Sequence, residues 1–395
     1  MRRAWVCVVV AQLVLSAGGC DPTPEKIARW KETERGPRKL RDALGKNSLD
    51  PSLRGQALAA LVEIGMAQDA IGDLANVDDK DRKAIIHDAV PRLAEVARGS
   101  GIAGAATTRA QREAKDALFL LRKDAAPDDR AAADTALIEW TTADLNGRMS
   151  AGGHSSEQIL TAIGPKAAPR LSELMQPGSS QLVAAAAIFG KVADRDARAR
   201  AADDLIARIQ KAGPRALDEQ ALQALGLIGG PRATAFLIDQ AEHAHDEAAR
   251  EKALLALAQG HVEVGDSSLQ AAALRIAADK KAPGKVRESA FQLLEKMPTS
   301  VSGLVGLMHD ADETVRWRSV EAALAAGKDK AVVPVLEALD PAKKYKQEDL
   351  DSYVVHDLVL VGPTALPPLQ TEMGSKNAVA RKVAGEAVAQ LQKHR

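Results

Sequence analysis

The residues of this chain that are best suited to chemistry are its eight histidines. An imidazole beside a carboxylate can bind a metal ion or take part in proton transfer. Four histidines stand directly before an aspartate, as His87-Asp88, His245-Asp246, His309-Asp310 and His356-Asp357. These pairs do not occupy equivalent places, because His309 falls in a loop before a predicted helix and His356 falls within a helix. The pattern therefore predicts no metal site built from equivalent pairs.

His243 and His245 suggest a second metal hypothesis, because acidic residues surround them. On a helix, however, residues two apart point about 200° away from each other and cannot share an ion. A solvated, charged helix end is the better interpretation. Cys20 is a potential nucleophile, but no neighbour in the sequence would lower its pKa.

The common catalytic signatures are missing from the sequence. It contains no Gly-x-Ser-x-Gly elbow, no Gly-Lys-Ser/Thr phosphate loop, no His-Glu-x-x-His and no Gly-x-Gly-x-x-Gly after a predicted strand. We therefore expect a protein that is not an enzyme, with no catalytic, cofactor-binding or metal-ligating residues and no cofactor.

The helices that position these residues are clearest between residues 312 and 339. Asp312 can cap a first helix that stops at Gly327, and Asp329 can cap a second helix that ends at Asp340-Pro341. The second helix carries an apolar stripe with the spacing of one buried face, formed by Val332, Val335, Leu336 and Leu339. The stretch is typical of one helix of a repeat, a turn, and the first helix of the next repeat.

Two signatures recur along the chain with a period of roughly 30 to 40 residues. One is an arginine near the start of a helix rich in alanine and leucine, at Arg54, Arg250, Arg287, Arg316 and Arg381. The other is a proline two residues before a leucine, at Pro91, Pro169, Pro334 and Pro367. Aromatic residues make up only 3% of the chain, which works against sheets. The pattern predicts an all-α fold, an α-solenoid of stacked antiparallel helical hairpins.

These signatures resemble HEAT repeats, whose first helix is often kinked at a proline and whose second helix commonly begins with Asp, Val and Arg. The resemblance is good from Glu157 to the C-terminus, present around residues 50–65 and weak from Gly99 to Ser156. It implies a scaffold that binds an unidentified protein or peptide on its concave face. Under this resemblance the five arginines either line that face or pair with loop aspartates inside the stack. Tetratricopeptide repeats are the alternative, but their Trp-Leu-Gly-Tyr pattern is absent.

The N-terminus predicts export. Arg2 and Arg3 precede an apolar run that ends in small residues, the pattern of a secretory signal peptide over residues 1–19. The run is shorter than the ~20 residues that a membrane-spanning helix needs. Ala17-Gly18-Gly19-Cys20 resembles a bacterial lipoprotein signal, although alanine stands where that signal usually has leucine. The resemblance implies lipidation at Cys20 and a membrane-anchored protein of the bacterial cell envelope, facing the periplasm or the cell surface. A soluble exported protein with a free Cys20 is the alternative.

The net charge limits the class of partner, and the repeat pattern predicts the borders of the domains. Lys plus Arg and Asp plus Glu both number 53, so the sequence predicts no nucleic-acid partner. After the signal peptide, we expect a lipidated cysteine with a tether and an N-terminal helix (20–47), irregular helical repeats (48–156) and a HEAT-like array (157–395).

Two stretches are irregular, residues 148–156 and 341–349. They are either solvated connections or contact loops carried on the rigid stack. The leading hypothesis is a non-enzymatic, envelope-anchored scaffold. The alternative is an exported enzyme, or a chromophore- or ligand-handling protein, with its site in residues 99–156. A polar pocket there, with His154 and carboxylates within metal or hydrogen-bond distance, would support the alternative.

Overall fold

A computed structural model describes residues 22–99, 107–148, 153–260 and 267–393. Cys20 and the predicted signal peptide lie outside the described residues. In the described part of the chain there is no strand, and no helix there is long and apolar enough to cross a bilayer. The α-helices in chain order are α1 (Pro24–Trp30), α2 (Gly36–Gly45), α3 (Pro51–Glu63), α4 (Ala67–Leu74), α5 (Asp79–Arg98), α6 (Arg109–Leu121), α7 (Pro127–Ala143), α8 (Ser156–Ile163), α9 (Ala168–Leu174), α10 (Leu182–Val192), α11 (Arg195–Ala212), α12 (Glu219–Ile228), α13 (Gly230–His243), α14 (Glu247–Gln259), α15 (Ser267–Ala278), α16 (Gly284–Glu295), α17 (Val301–Leu307), α18 (Glu313–Gly327), α19 (Asp329–Glu337), α20 (Gln347–Leu350), α21 (His356–Val361), α22 (Leu366–Glu372) and α23 (Ala378–Lys393).

The chain divides into two compact units, Met1–Arg170 and Leu171–Arg395. In the second unit, helices two apart along the chain pack against each other. Helices α10, α12, α14, α16 and α18 thus form one row, and α11, α13, α15, α17 and α19 form another. In the first unit, α3, α5 and α7 pack in the same succession, while α4 packs on α6. The predicted all-α solenoid of stacked helical hairpins is therefore confirmed within each unit.

Side-chain caps begin many of these helices, as the sequence predicts. The Asp312 carboxylate accepts a hydrogen bond from the Thr314 amide at 2.9 Å, and the Asp50 carboxylate accepts one from the Ser52 amide at 2.8 Å. Each bond satisfies an amide that has no partner inside its own helix. The predicted end of α18 at Gly327 is confirmed. The predicted stripe of the next helix is buried at all four positions, Val332, Val335, Leu336 and Leu339.

The start and the end of α19 differ from the prediction. Lys328, and not Asp329, occupies the N-cap position, with a positive φ of 52°. Because Lys328 alone joins α18 to α19, Asp329 is already the first residue of the helix. The helix also ends at Glu337, before the predicted stop at Pro341. A turn then carries Leu339 into the core.

Small residues allow successive helices to approach closely. A Cβ atom on Gly226 in α12 would lie 2.2 Å from the Ala256 carbonyl oxygen of α14. A Cβ atom on Gly55 in α3 would lie 2.6 Å from the Asp88 Cβ atom of α5. Neither position can accept a side chain without moving a helix. The abundance of alanine fits the same packing, since a methyl group fills the narrow space between backbones.

The segment 99–156 is more regular than the sequence suggests. Helices α6 and α7 span 13 and 17 residues. Thr108 starts α6 through a capping box with Gln111. The described residues of this segment are thus helical, and the predicted division at residue 156 stays a prediction.

Candidate functional site

A cavity of about 550 Å³ in the first unit brings chemically capable side chains together. Its walls are one face of α6, the turn between α3 and α4 with the start of α4, and the residues just before α8. The lining residues are Gly65, Met66, Ala67, Gln68, Asp69, Arg109, Arg112, Glu113, Asp116, Leu120, Gly153 and His154. This volume lies within the range typical of small-molecule sites.

Helix periodicity explains how α6 supplies its wall. Arg112 and Glu113 lie three and four residues after Arg109, Asp116 lies four and three residues after them, and Leu120 lies four residues further on, which places all five on one face of the helix. The positive side chains lie toward the N-terminal end of this face, and the apolar Leu120 lies toward its C-terminal end.

A buried ionic network holds His154 against α6. The Lys115 side chain is fully buried, and its ammonium group lies 2.8 Å from Asp116 Oδ1 and donates to the His154 carbonyl oxygen at 2.7 Å. The same ammonium lies 5.4 Å from the centre of the Trp140 ring, close enough for a cation–π interaction. His154 Nδ1 lies 2.9 Å from Asp116 Oδ1. Helix α6 thus fixes both the imidazole and the backbone that carries it.

The Asp116 carboxylate is almost fully used by this network. It also accepts hydrogen bonds from the Gly153 amide at 2.9 Å and from the His154 amide at 3.0 Å. Burial by itself would raise the pKa of Asp116, but the hydrogen bonds from Lys115 and from the Gly153 amide outweigh it and hold this pKa below its ordinary value. Burial lowers the pKa of Lys115, and Asp116 offsets part of that effect. A carboxylate held this way positions His154 and has little capacity left to contact a ligand.

The guanidinium groups of the two arginines in the cavity wall donate hydrogen bonds to different backbone carbonyls. Arg109 Nη2 donates to the Gly65 carbonyl oxygen at 3.1 Å, and Arg109 Nε lies 3.8 Å from Glu113 Oε1. Gly65 has a φ of +86°, and a Cβ atom there would lie 2.6 Å from the Arg109 guanidinium carbon, so the turn requires glycine. Arg112 Nη1 donates to the Thr107 carbonyl oxygen at 2.6 Å.

The five arginines of the repeat signature make contacts inside their own units. Four of them donate to backbone carbonyls at or after the end of the preceding helix: Arg54 to Leu44 (2.8 Å), Arg250 to Ala241 (2.8 Å), Arg316 to Asp310 (3.0 Å) and Arg381 to Ser375 (2.5 Å). Arg287 instead pairs with Asp312, the cap of the next helix in its row, at 2.9 Å. Arg54 also pairs with Asp81 at 2.8 Å. These bonds satisfy carbonyls that a helix end leaves without partners.

The histidines singled out first do not gather into one site. His87 Nδ1 lies 2.8 Å from Asp129 of α7, and not from its sequence neighbour Asp88. His243 lies at the end of α13, 3.3 Å from Asp239, with an exposed side chain, as expected of a solvated helix end. Among the described residues, no group of three or more His, Cys, Asp or Glu residues could hold a metal ion. The pairing of His154 with Asp116 was missed, because 38 residues separate the two in the sequence.

A second cluster of charge lies in the second unit around Arg318. Its guanidinium contacts Glu288 at 2.8 Å, Glu295 at 2.5 Å and Glu321 at 3.2 Å. Asp357 lies near this cluster. Burial, and secondly the charge of Glu321, raise the pKa of Asp357 to about 6.

Aromatic side chains gather beside the same cluster. The Tyr353 ring stacks on Trp317, with ring centres 5.4 Å apart and planes 11° from parallel. The Tyr345 ring lies 6.0 Å from Trp317 on a tilted plane. Tyr345 belongs to the segment 341–349, so this segment is held on the stack by an aromatic contact. Tyr353 lies in a turn of π-helix, residues Asp351–Val355, a rare element that often occurs at functional sites.

No protein-family model matches this chain, and no curated protein matches it in sequence. Among solved structures, the chain is similar to an engineered protein of the Northeast Structural Genomics Consortium, at 17% identity over 90% of this chain and 98% of that chain, with a TM-score of 0.26. It is also similar to a structure of tubulin recruitment and assembly by microtubule polymerases with TOG domain arrays, at 11% identity over 92% of each chain, with a TM-score of 0.22. Similarities this weak carry no argument about the fold or the partner of this chain.

Proposed function

We propose that this protein is a non-enzymatic scaffold of the HEAT-repeat type, anchored to a membrane of the bacterial cell envelope by lipid on Cys20. The supporting observation is the stacking of α10 to α19 into two rows within one unit. A row of equivalent helices presents a long surface that can bind a protein or peptide without a cofactor. The proposal includes no nucleic-acid partner, in keeping with the balance of 53 positive and 53 negative side chains.

The contacts of the repeat arginines bear on how such a surface would bind. Since Arg250, Arg287 and Arg316 donate to neighbouring loops and caps, their role in the proposal is to hold successive helices in register. Recognition then falls to other exposed side chains. Among the described residues, the large apolar side chains with the greatest exposure are Tyr353 (45%), Leu360 (70%) and Met373 (48%), all in the last part of the second unit.

The anchor is tested by comparing the native protein with a Cys20→Ala variant. We expect the mature native chain to begin at Cys20 with the added mass of acyl chains and to sediment with membranes, and the variant to leave the membrane fraction. Native protein without added lipid mass, equally soluble with the variant, would remove the anchor from the proposal.

The scaffold is tested by photo-crosslinking from positions 353 and 360 in the native host. One reproducible crosslinked protein is the expected result, and its crosslink from position 353 should be lost on Leu360→Arg but retained on Leu53→Arg. Leu53 is a suitable control because it is only partly buried and lies in the first unit, at the start of α3.

A second function is supported by the cavity on α6. The sequence left open a ligand-handling protein with a site in residues 99–156, and the cavity lies against that segment with His154 and Asp116 in hydrogen-bond contact. Binding of a small ligand there is compatible with the scaffold, since the two functions use different units. We propose it as an additional role.

A further inference from the structure

The unpaired charges of the α6 cavity show what ligand it would accept. Three carboxylates and two guanidinium groups line it, but most of them already face a partner. Asp116 accepts from two backbone amides and contacts Lys115 and His154. Arg109 and Glu113 are drawn toward each other, at 3.8 Å.

In the described part of the chain, Arg112 and Asp69 are the two charged side chains of the cavity that have no oppositely charged group within 4 Å. Among the described residues, the only hydrogen bond of the Arg112 guanidinium is that of Nη1 to the Thr107 carbonyl oxygen, so its Nε and Nη2 donors remain available. The Asp69 carboxylate, in the first turn of α4, is exposed and accepts no hydrogen bond from the described residues. Its charge also acts on Arg41, which itself pairs with Asp73. The cavity therefore offers a donor group on one wall and an acceptor group on another.

The remaining lining is apolar or neutral. Met66, Ala67 and Leu120 offer apolar surface, and the Gln68 side chain offers an amide. A ligand with several negative charges would face Asp69 and Glu113, and a purely cationic ligand would face Arg109 and Arg112, so either would meet unfavourable contacts of like charge.

We propose that this cavity binds a small zwitterion that carries an α-ammonium and an α-carboxylate, that is, a free amino acid or a short peptide. The ligand carboxylate pairs with Arg112, its ammonium pairs with Asp69, and its side chain lies on Met66 and Leu120. Arginine suits the carboxylate because its planar donors can form two parallel hydrogen bonds with it. This inference rests on the proposed ligand-binding role of the cavity and names its ligand class.

Isothermal titration of the full mature chain tests this proposal. The probes are leucine, N-acetyl-leucine and leucine amide, the dipeptide Ala-Leu with its N-acetyl and amide forms, and inorganic phosphate. We expect leucine or Ala-Leu to bind, and the single-charge analogue of whichever binds to be weaker by about 10-fold or more, since each loses a charge-assisted hydrogen bond. Comparing leucine with Ala-Leu distinguishes a free amino acid from a peptide as the source of the zwitterion.

Two variants and two matched controls link the binding to the assigned side chains. Arg112→Gln and Asp69→Asn are each expected to weaken zwitterion binding by about 10-fold or more. Asp69→Asn is further expected to remove the preference for leucine over N-acetyl-leucine. Arg232→Gln and Asp203→Asn make the same charge changes at an exposed ion pair of the second unit, and should leave binding unchanged. Far-ultraviolet circular dichroism confirms that each variant is folded.

The remaining outcomes distinguish failure of the zwitterionic ligand class from failure of the ligand-binding role itself. If phosphate binds, or if the single-charge analogues bind as well as leucine, the zwitterion is wrong while a ligand-binding cavity stands. If none of the probes binds, both the zwitterion and the ligand-binding role fail, whereas the scaffold proposal is unaffected.

Discussion

Lys115 in the first unit and Arg318 in the second are both cations held between helices, but their surroundings differ. The Lys115 side chain is 0% exposed and faces one carboxylate, Asp116, together with the His154 carbonyl and the Trp140 ring. The Arg318 side chain is 15% exposed and faces three carboxylates.

The balance of charge at the two sites explains their different sensitivity to pH. At the first site, burial opposes ionisation of Asp116, but the hydrogen bonds from Lys115 and then from the Gly153 amide hold its pKa low. Around Arg318 the carboxylates outnumber the cation. Asp357 lies beside this excess in a partly buried position, so its pKa rises to about 6. The comparison indicates that Asp116 stays ionised in mild acid, whereas Asp357 titrates at a pH of about 6.

The largest expected effect comes from removing the cation of the first site. Lys115→Met leaves the Asp116 charge buried without its partner, which should lower the free energy of unfolding by roughly 3–5 kcal/mol. Urea denaturation followed by hydrogen–deuterium exchange of residues 107–121 and 153–163 measures the effect and locates it. Lys123→Met, at an exposed position two residues beyond α6, serves as the control and should change the stability little. An equal effect of the two variants would contradict the assigned role of Lys115.

A smaller effect is expected at the repeat arginines, where burial again differs between the units. Arg54 is fully buried and joins Leu44 and Asp81, so Arg54→Ala should cost about 2–3 kcal/mol of unfolding free energy. Arg381 occupies the same position of the repeat signature but is exposed, so Arg381→Ala should cost less than about 1 kcal/mol.

Urea denaturation of the two arginine variants in parallel measures this difference. Similar losses would show that the backbone hydrogen bond, which both arginines make, contributes more than burial does.

The smallest effect concerns the pH dependence of the second site. Because the folded-state pKa of Asp357, about 6, lies above the ~3.9 of an unfolded aspartate, its protonated form stabilises the fold. This contribution is fully present below about pH 4 and is lost as the pH rises through about 6. We expect Asp357→Asn to match the native protein at pH 4 and to be more stable at pH 7.5 by about 1 kcal/mol, discounted for solvent screening.

Thermal denaturation at a series of pH values checks this prediction. Glu348→Gln removes an exposed carboxyl from the neighbouring helix α20 and is the control. A stabilisation by Asp357→Asn that is the same at pH 4 and pH 7.5 would show that titration of Asp357 is not its cause.

Much of the fold follows from local sequence patterns. The cap at Asp312, the end of α18 at Gly327 and the buried stripe of α19 were all predicted, because each depends on residues within one helical turn or one helix face. The N-cap of α19 was missed, since aspartate is the better capping residue and nothing local indicates that Lys328 adopts a positive φ.

The candidate site was predicted less well, because its contacts link residues far apart in the chain. The sequence singled out His154 but gave no reason to join it to Asp116 or to place both opposite Asp69. Lysine is usually exposed to solvent, and only the packing of α6 against neighbouring elements shows that Lys115 is fully buried.

The amino-acid sequence by itself determined the helices, their hairpins and the stacked architecture, because periodicity, caps and small residues act over short distances. The tertiary structure decided which charges meet. Stacking carries Arg287 to Asp312, 25 residues away, and the turn before α8 to Asp116, 37 residues away. Burial then sets the strength and the protonation of these contacts, since the free energy of a charge depends on the solvent and the partners around it.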